Sequence, residues 1–224
     1  MKRDISKVIK KFDDEAKGVK HRYYSFDFCY SHFRHSKETG NIDIEKSCFV
    51  LWSYLASWGM LRGSSFLMQK NPAYLTELVK WIYEQPQATW LIDVDDYADK
   101  KKEILSLYAQ VKSHLIGEKK HQAVTLVTKV LLGVFAIIPA YDRFFKDTFS
   151  EIAGEKCGFS TPNETSLKII AQFYQENKEE IDALSKSHSI LDFDGKPTNY
   201  RYSKAKIIDM YGFQVGRNKV SENP

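Results

Sequence analysis

The sequence predicts an all-α protein that forms a single globular domain of about seven to nine helices. Apolar residues recur at spacings of three and four, no segment shows sustained period-two alternation, and the 224 residues include only 11 glycines and 6 prolines. Hydrophobic residues make up 43% and charged residues 28%, as in an ordinary folded protein. We expect this domain to span residues 1–216, with a disordered tail at 217–224.

The charge balance and the cysteines limit the functional classes only loosely. Lysine and arginine total 33 against 29 acidic residues, so the net charge of +4 permits a nucleic-acid partner without requiring one. Cys29, Cys48 and Cys157 form no C-x-x-C pair, and this odd, widely spaced set favours a reducing compartment. The N-terminal segment lacks a continuous apolar stretch and does not resemble a signal peptide, so we expect a cytoplasmic protein.

In the first half of the chain, apolar spacing predicts helices at residues 5–17, 45–62 and 72–84. A fourth helix is predicted to follow the acidic segment 93–99 and to end at about residue 116. An aromatic block at 21–35 and a polar loop at 36–43 separate the first two helices. Residues 45–62 are apolar on nearly every face, which indicates a central, buried helix. Asn71 followed by Pro72 is a typical helix start, Pro86 ends that helix, and Gly117 ends the next.

In the second half, helices are predicted at residues 121–137, 142–152, 161–184 and 202–211. The segment 192–199 is predicted to be a loop because it contains an Asp-Gly pair and a Lys-Pro pair. From Ala123 to Tyr141 the only polar residues are Thr125, Thr128 and Lys129, so the segment is nearly long enough to span a bilayer. A central lysine costs about 2.5–3.5 kcal/mol on insertion scales, and we therefore expect a buried helix and no membrane association.

Two clusters resemble metal sites. Cys29, His32 and His35 recur at intervals of three and would share a helical face, but no fourth ligand is evident, and an aromatic core with flanking polar histidines is the favoured interpretation. The acidic segment 93–99 resembles a calcium loop but lacks the required glycine, so capping of the following helix explains it better. The sequence predicts neither a metal nor a cofactor.

Three serine and arginine residues are a candidate phosphate site. Arg62 precedes Ser64 and Ser65, and the backbone N–H groups of a helix beginning there would suit a phosphate. The alternative is a glycine break between two buried helices, with serine as the helix cap.

Basic residues alternate with aromatic residues at 21–24 and 200–206. Such clusters can stack bases and neutralise phosphates, so Arg201, Lys204 and Lys206 are candidate nucleic-acid contacts. The same pattern is also typical of an ordinary amphipathic surface.

Lys129 lies on a stripe of small or polar residues along the helix predicted at 121–137. The stripe contains His121, Thr125, Gly133 and Ala136 besides the lysine. If the stripe faces solvent, Lys129 is a surface lysine. If it lines a cleft, partial desolvation would lower the pKa of the amine and make it available as a nucleophile. Asp142 occupies the position of a helix cap.

The order of a lysine in Thr128-Lys129-Val130, a hydrophobic helix, and then Pro139-Ala140-Tyr141-Asp142 resembles the helix-hairpin-helix DNA glycosylases of the 8-oxoguanine type. The resemblance covers residues 120–150. It implies that Lys129 attacks C1′ of the sugar and that Asp142 supports the developing positive charge. DNA is then the expected partner, and oligomeric state is left open.

The chain departs from that family in three respects. Residues 121–128 contain no glycine-rich hairpin, the interval from lysine to aspartate is shorter, and the four-cysteine iron–sulfur pattern of some members is missing. A second segment, residues 52–67, resembles a segment of uncharacterised bacterial proteins and implies no function. The competing hypothesis is a non-enzymatic, all-α binding or regulatory module whose apolar helices are simply core.

Overall fold

A computed structural model describes residues 3–63, 65–117 and 123–222. Helices account for 73% of the structure, and the described part contains ten α-helices and one two-stranded hairpin. The helices are α1 Ile5–Glu15, α2 Ser25–Thr39, α3 Ile44–Ser57, α4 Thr76–Glu84, α5 Tyr97–Ile116, α6 Val124–Phe135, α7 Arg143–Ala153, α8 Glu164–Glu176, α9 Lys178–Ser187 and α10 Lys204–Glu222. The strands are β1 Ser189–Leu191 and β2 Pro197–Arg201, and they pair antiparallel. The structure confirms a mostly helical single globular domain, but the described residues contain ten helices rather than seven to nine, and the hairpin departs from the predicted all-α class.

The central element of the core is α6, which packs against α2, α3 and α5. Of its twelve residues only Thr125 is partly exposed, so the prediction of a buried helix is confirmed. A helix without a polar face has no side to present to water and must be surrounded by other elements. α3 approaches α6 at Gly133, where an added Cβ would collide with the Tyr54 ring. No helix in the described ranges is long and apolar enough to cross a membrane.

Several helix boundaries follow directly from the sequence. The side chain of Asn71 accepts a hydrogen bond from the backbone N–H of Ala73 and caps the 3₁₀ turn Pro72–Leu75, after which α4 begins at Thr76. Asp142 caps α7 directly by accepting from the N–H of Phe145. Both residues provide the side-chain oxygen that the first backbone N–H groups of a helix need. α5 ends at Ile116 and is followed by Gly117 at positive φ, as predicted.

Other segments differ from the prediction. α3 stops at Ser57, and the helix predicted at 161–184 is divided into α8 and α9 at Asn177. The segment predicted as a loop at 192–199 is a hairpin turn followed by the first part of β2. The sequence did not reveal the strands because β1 and β2 are too short to show an alternating pattern.

α10 continues through residues 217–222, where the sequence predicted a disordered tail. Two ion pairs hold this last part of the helix: Arg217 pairs with Glu15 on α1, and Lys219 pairs with Glu151 on α7. Residues 223–224 lie outside the described ranges.

α7 and α10 pack very closely, and two glycines of α10 make this possible. A Cβ at Gly212 would collide with the Phe145 ring, and a Cβ at Gly216 would collide with the backbone carbonyl of Phe144. The Thr148 hydroxyl also donates a hydrogen bond to the Gly212 carbonyl at 2.9 Å. This packing fixes the start of α7, where Asp142 lies.

Candidate functional site

Lys129 and Asp142 meet in the structure. Lys129 Nζ lies 3.4 Å from Asp142 Oδ2, and the other oxygen of the carboxylate accepts the capping bond from Phe145 N at 3.0 Å. The side chains are 4% and 15% exposed. Neither alternative predicted for the small-residue stripe holds, because Lys129 faces neither solvent nor an open cleft. It is a buried lysine in an ion pair.

The connection from α6 to α7, residues 136–142, sets the geometry of this pair. Its residues from 136 to 141 are fully buried, which would be costly if their backbone groups lacked hydrogen bonds. Side chains supply the missing partners through bonds from Ser203 Oγ to Ala136 O, Tyr97 OH to Ile137 O, Ala140 N to Asp209 Oδ1, Tyr141 N to Thr128 Oγ1, and Thr125 Oγ1 to Tyr141 O. A loop held at five points delivers Asp142 to a fixed position.

Trp58 covers the amine of Lys129. Lys129 Nζ lies 4.5 Å from the centroid of the indole ring, within cation–π distance. Tyr23 stacks on Trp58 with the ring centroids 5.4 Å apart, and the guanidinium carbon of Arg22 lies 5.6 Å from the indole centroid. The Trp58 Nε1–H is buried and has no hydrogen-bond partner among the described residues.

A second buried lysine approaches the same indole. Lys206 Nζ lies 5.5 Å from the Trp58 centroid and 3.0 Å from Asp209 Oδ2, with side-chain exposures of 2% and 8%. Asp209 uses its other oxygen to accept the hydrogen bond from Ala140 N. Trp58 is therefore in contact with two buried lysine–aspartate pairs, one from α6 and the start of α7 and one from α10.

A cavity of about 420 Å³ opens beside the Lys129–Asp142 pair. It is lined by Arg62, Lys146 and the first turn of α6, and also by Ser65 and Ser160. Thr125 and Lys146, which lie one helical turn from Lys129 and Asp142 respectively, border it. Within the described part of the chain neither Arg62 nor Lys146 has an ion-pair partner, so the cavity carries uncompensated positive charge.

The candidate phosphate residues reach this cavity in part. Arg62 and Ser65 both line it, whereas Ser64 lies outside the described residues. Ser65 also has the role of helix cap that the alternative interpretation predicted. Its hydroxyl accepts a hydrogen bond from Leu67 N at 3.4 Å, at the start of the 3₁₀ turn Phe66–Gln69, and donates one to Met60 O at 2.6 Å.

The three candidate nucleic-acid contacts do not form one surface. Arg201 is exposed and bonds to the carbonyls of its own strand, and Lys204 pairs with Asp95 at 2.6 Å. Lys206 is buried in its pair with Asp209 and presents no amine to a partner on the outside. On a helix, residues two positions apart point in different directions, so Lys204 and Lys206 separate.

The two metal-like clusters have structural roles. Cys29 is fully buried, and His32 Nε2 lies 2.9 Å from Ser47 Oγ. Asp93 caps the 3₁₀ turn Val94–Asp96 and also accepts hydrogen bonds from the first N–H groups of α10, those of Lys204 and Ala205. Burial raises the pKa of Asp93 to about 6. The described residues contain no group of three metal-ligating side chains arranged to hold an ion.

Sequence reasoning missed Trp58, Lys146 and Asp209 as members of the site. Nothing in the local sequence marks them, since each comes from a different element and reaches the α6–α7 connection only in the folded chain. No protein-family model, curated protein or solved structure matches the chain.

Proposed function

We propose that this protein binds DNA and acts on a flipped base by attack at the sugar, as the helix-hairpin-helix DNA glycosylases do. The observation that carries the proposal is the approach of Lys129 Nζ to Asp142 Oδ2 at 3.4 Å, with Asp142 capping α7. A nucleophilic amine and an anion beside it are the two groups that the reaction requires.

The two side chains would have distinct tasks. The ammonium of Lys129 first gives a proton to water. Its nitrogen then forms a bond to C1′ as the bond from C1′ to the base breaks, and the base leaves with the electron pair and takes up a proton from water. The Asp142 carboxylate stabilises the positive charge that develops on the sugar. Opening of the sugar ring then gives an imine between Lys129 and C1′, which borohydride reduces to a stable amine.

The cavity beside the pair suits the DNA backbone. Arg62 and Lys146 provide two cations, and the N–H groups at the start of α6 receive no side-chain cap from the described residues. Such a combination favours a phosphate group. A phosphate held here would place the neighbouring sugar within one helical turn of Lys129.

The enclosure of Lys129 sets a requirement on this mechanism. A sugar can reach the amine only when Trp58 and the segment that follows it move aside. Gly59 and Gly63 both have positive φ and border this segment, which connects α3 to the 3₁₀ turn Phe66–Gln69. Substrate binding at the cavity would have to supply the energy for that opening.

Borohydride trapping on a panel of damaged and modified DNA duplexes tests the proposal. The wild-type protein should form an adduct on at least one duplex, and Lys129→Gln should form none. Lys206→Gln is the matched control, because it also removes a buried lysine in contact with Trp58. Equal adduct yields from the two variants, or no adduct with any duplex, would refute the covalent mechanism.

A non-enzymatic helical binding module is the second candidate, and a specific observation favours it. The Lys206–Asp209 pair has the same composition, burial and contact with Trp58 as the Lys129–Asp142 pair. If buried lysine–aspartate pairs only stabilise the fold around Trp58, more than one such pair is expected. Under this hypothesis both lysine variants lose similar amounts of stability, and no duplex yields an adduct.

A further inference from the structure

A groove along α3 combines exposed aromatic rings with cations that form no ion pair among the described residues. We call it the aromatic–basic groove; it has a volume of about 400 Å³, and its aromatic and basic lining residues are Lys20, Arg22, Phe28, Lys46, Phe49 and Phe193. The segment 20–22, α2, the N-terminal half of α3 and the tip of the β1–β2 hairpin contribute these side chains. We propose that this groove binds single-stranded nucleic acid, with bases stacked on the phenylalanines and phosphates on the cations.

The hairpin presents Phe193 to solvent in a fixed position. The ring is 83% exposed and touches only the edge of the core, with its centroid 5.2 Å from that of Phe28. Asp192 holds the turn by accepting hydrogen bonds from Asp194 N and Lys196 N, and Gly195 has the positive φ that the turn requires. Rigid presentation lowers the entropy lost when a base stacks on the ring.

Phe49 provides a second exposed ring. It is 52% exposed on the solvent-facing side of α3, where Lys46 and Ser53 are also exposed. Large aromatic side chains normally gain about 1.5–3 kcal/mol from full burial, so two exposed phenylalanines lining one groove indicate a surface used for binding.

The charge of the groove is complementary to phosphate. Within the described residues Lys20, Arg22 and Lys46 form no ion pair, and no aspartate or glutamate lines the groove. Of the carboxylates close to it in sequence, Asp43 caps α3 and Asp192 holds the turn, whereas Glu45 and Asp194 are exposed and lie outside the lining. Aromatic rings interleaved with cations are the usual surface for single strands, because every base has a face that can stack.

The sequence singled out residues 21–24 for this chemistry, but the structure assigns the stacking rings differently. Tyr23 is buried between Phe12 and Trp58, and only Arg22 of this segment extends into the groove as a cation. Burial and the neighbouring charges of Arg22 and Arg217 lower the pKa of His21, so this side chain adds little positive charge at neutral pH.

The inference rests on the nucleic-acid binding of the proposed function, and its test measures binding without adduct formation. Fluorescence anisotropy of a labelled oligothymidylate is measured with the full chain. Phe193→Ala should weaken binding about 10-fold, the usual loss for one stacked base. Lys46→Gln should reduce the salt dependence of log K by about 0.7, as expected for one lost phosphate contact.

Matched controls come from exposed residues elsewhere. Leu91 is 63% exposed, and Lys102 is an exposed lysine of α5 without an ion-pair partner among the described residues. Leu91→Ala and Lys102→Gln should change the affinity less than twofold. Because Phe193 and Lys46 are exposed, their substitution should leave the circular dichroism spectrum unchanged.

The outcomes separate this inference from the glycosylase mechanism. An adduct at Lys129 together with wild-type binding by Phe193→Ala would overturn the groove and leave the mechanism. No adduct, with binding lost in Phe193→Ala, would support the groove alone. The groove assignment is also overturned if oligothymidylate does not bind, if polyglutamate binds equally well, or if Phe193→Ala abolishes a concentration-dependent dimer.

Discussion

Substitutions at Asp142 separate its two roles, as a helix cap and as the counter-ion of a buried lysine. Asparagine caps a helix as well as aspartate does, so Asp142→Asn removes only the charge. The Lys129 ammonium, 4% exposed, is then left without its partner. Removing one member of a buried ion pair costs about 3–5 kcal/mol, and the low end applies because Asp142 is itself 15% exposed. Asp142→Ala should cost about 1 kcal/mol more, since it also removes the bond from Phe145 N.

The opposite substitution should be milder. Lys129→Met leaves Asp142 with its capping bond and partial contact with water, and the methionine side chain fills most of the lysine volume. We expect a loss of about 1–2 kcal/mol. The double variant Lys129→Met/Asp142→Asn should be more stable than the sum of the single losses predicts, because no unpaired charge stays buried.

Urea denaturation followed by far-UV circular dichroism measures these free energies of unfolding, and urea does not screen charges. The exposed pair Lys80–Glu77, with an N–O distance of 2.8 Å, is the matched control, and Glu77→Gln should cost less than about 1 kcal/mol. The reasoning is refuted if Lys129→Met costs as much as Asp142→Asn. That result would mean that the contact with Trp58, rather than the carboxylate, dominates the energy of the lysine.

Three further predictions concern stability. Burial raises the pKa of Asp27 from 3.8 to about 6, so the folded state binds the proton more tightly and the carboxyl contributes stability that is lost as pH rises through about 6. Asp27→Asn should therefore look more favourable relative to wild type at pH 7 than at pH 4.5, by at most about 2 kcal/mol in urea denaturation. Gly216→Ala should lower the melting temperature because its Cβ would collide with the Phe144 carbonyl. Gly154→Ala is the comparison variant: its Cβ would meet nothing within 4 Å, although the backbone there has positive φ. The hydrogen bond that His188 Nε2 donates to Asp13 Oδ2 raises the pKa of His188, so the stability from this pair is full below about pH 6.5 and lost above the raised pKa. Asp13→Asn should therefore destabilise more at pH 5.5 than at pH 8. An equal effect at the two pH values would contradict the role of the charged histidine.

Local chemistry in the sequence was enough to predict most of the helices. Asn71 and Asp142 mark helix starts because a side-chain oxygen satisfies N–H groups within three residues, an interaction that needs no distant partner. Continuous apolarity predicted α6 as a buried helix for a similar reason, because a cylinder without a polar face must be covered. The C-terminal end of α3 was missed because the apolar pattern continues past Ser57, and the β1–β2 hairpin was missed because its strands are too short to show an alternating pattern.

The sequence by itself determined that Lys129 would lie on a helix with an otherwise apolar surface and that Asp142 would begin the next helix. Only the tertiary structure decided that the two side chains meet, because their distance depends on the buried connection 136–142. Thr128 on α6 holds that connection from the helix that precedes it. Further hydrogen bonds come from Tyr97 on α5, Ser203 just before α10 and Asp209 on α10. Periodicity along one helix reports which face is apolar, whereas the partner of a buried charge is set by residues that are adjacent only after folding.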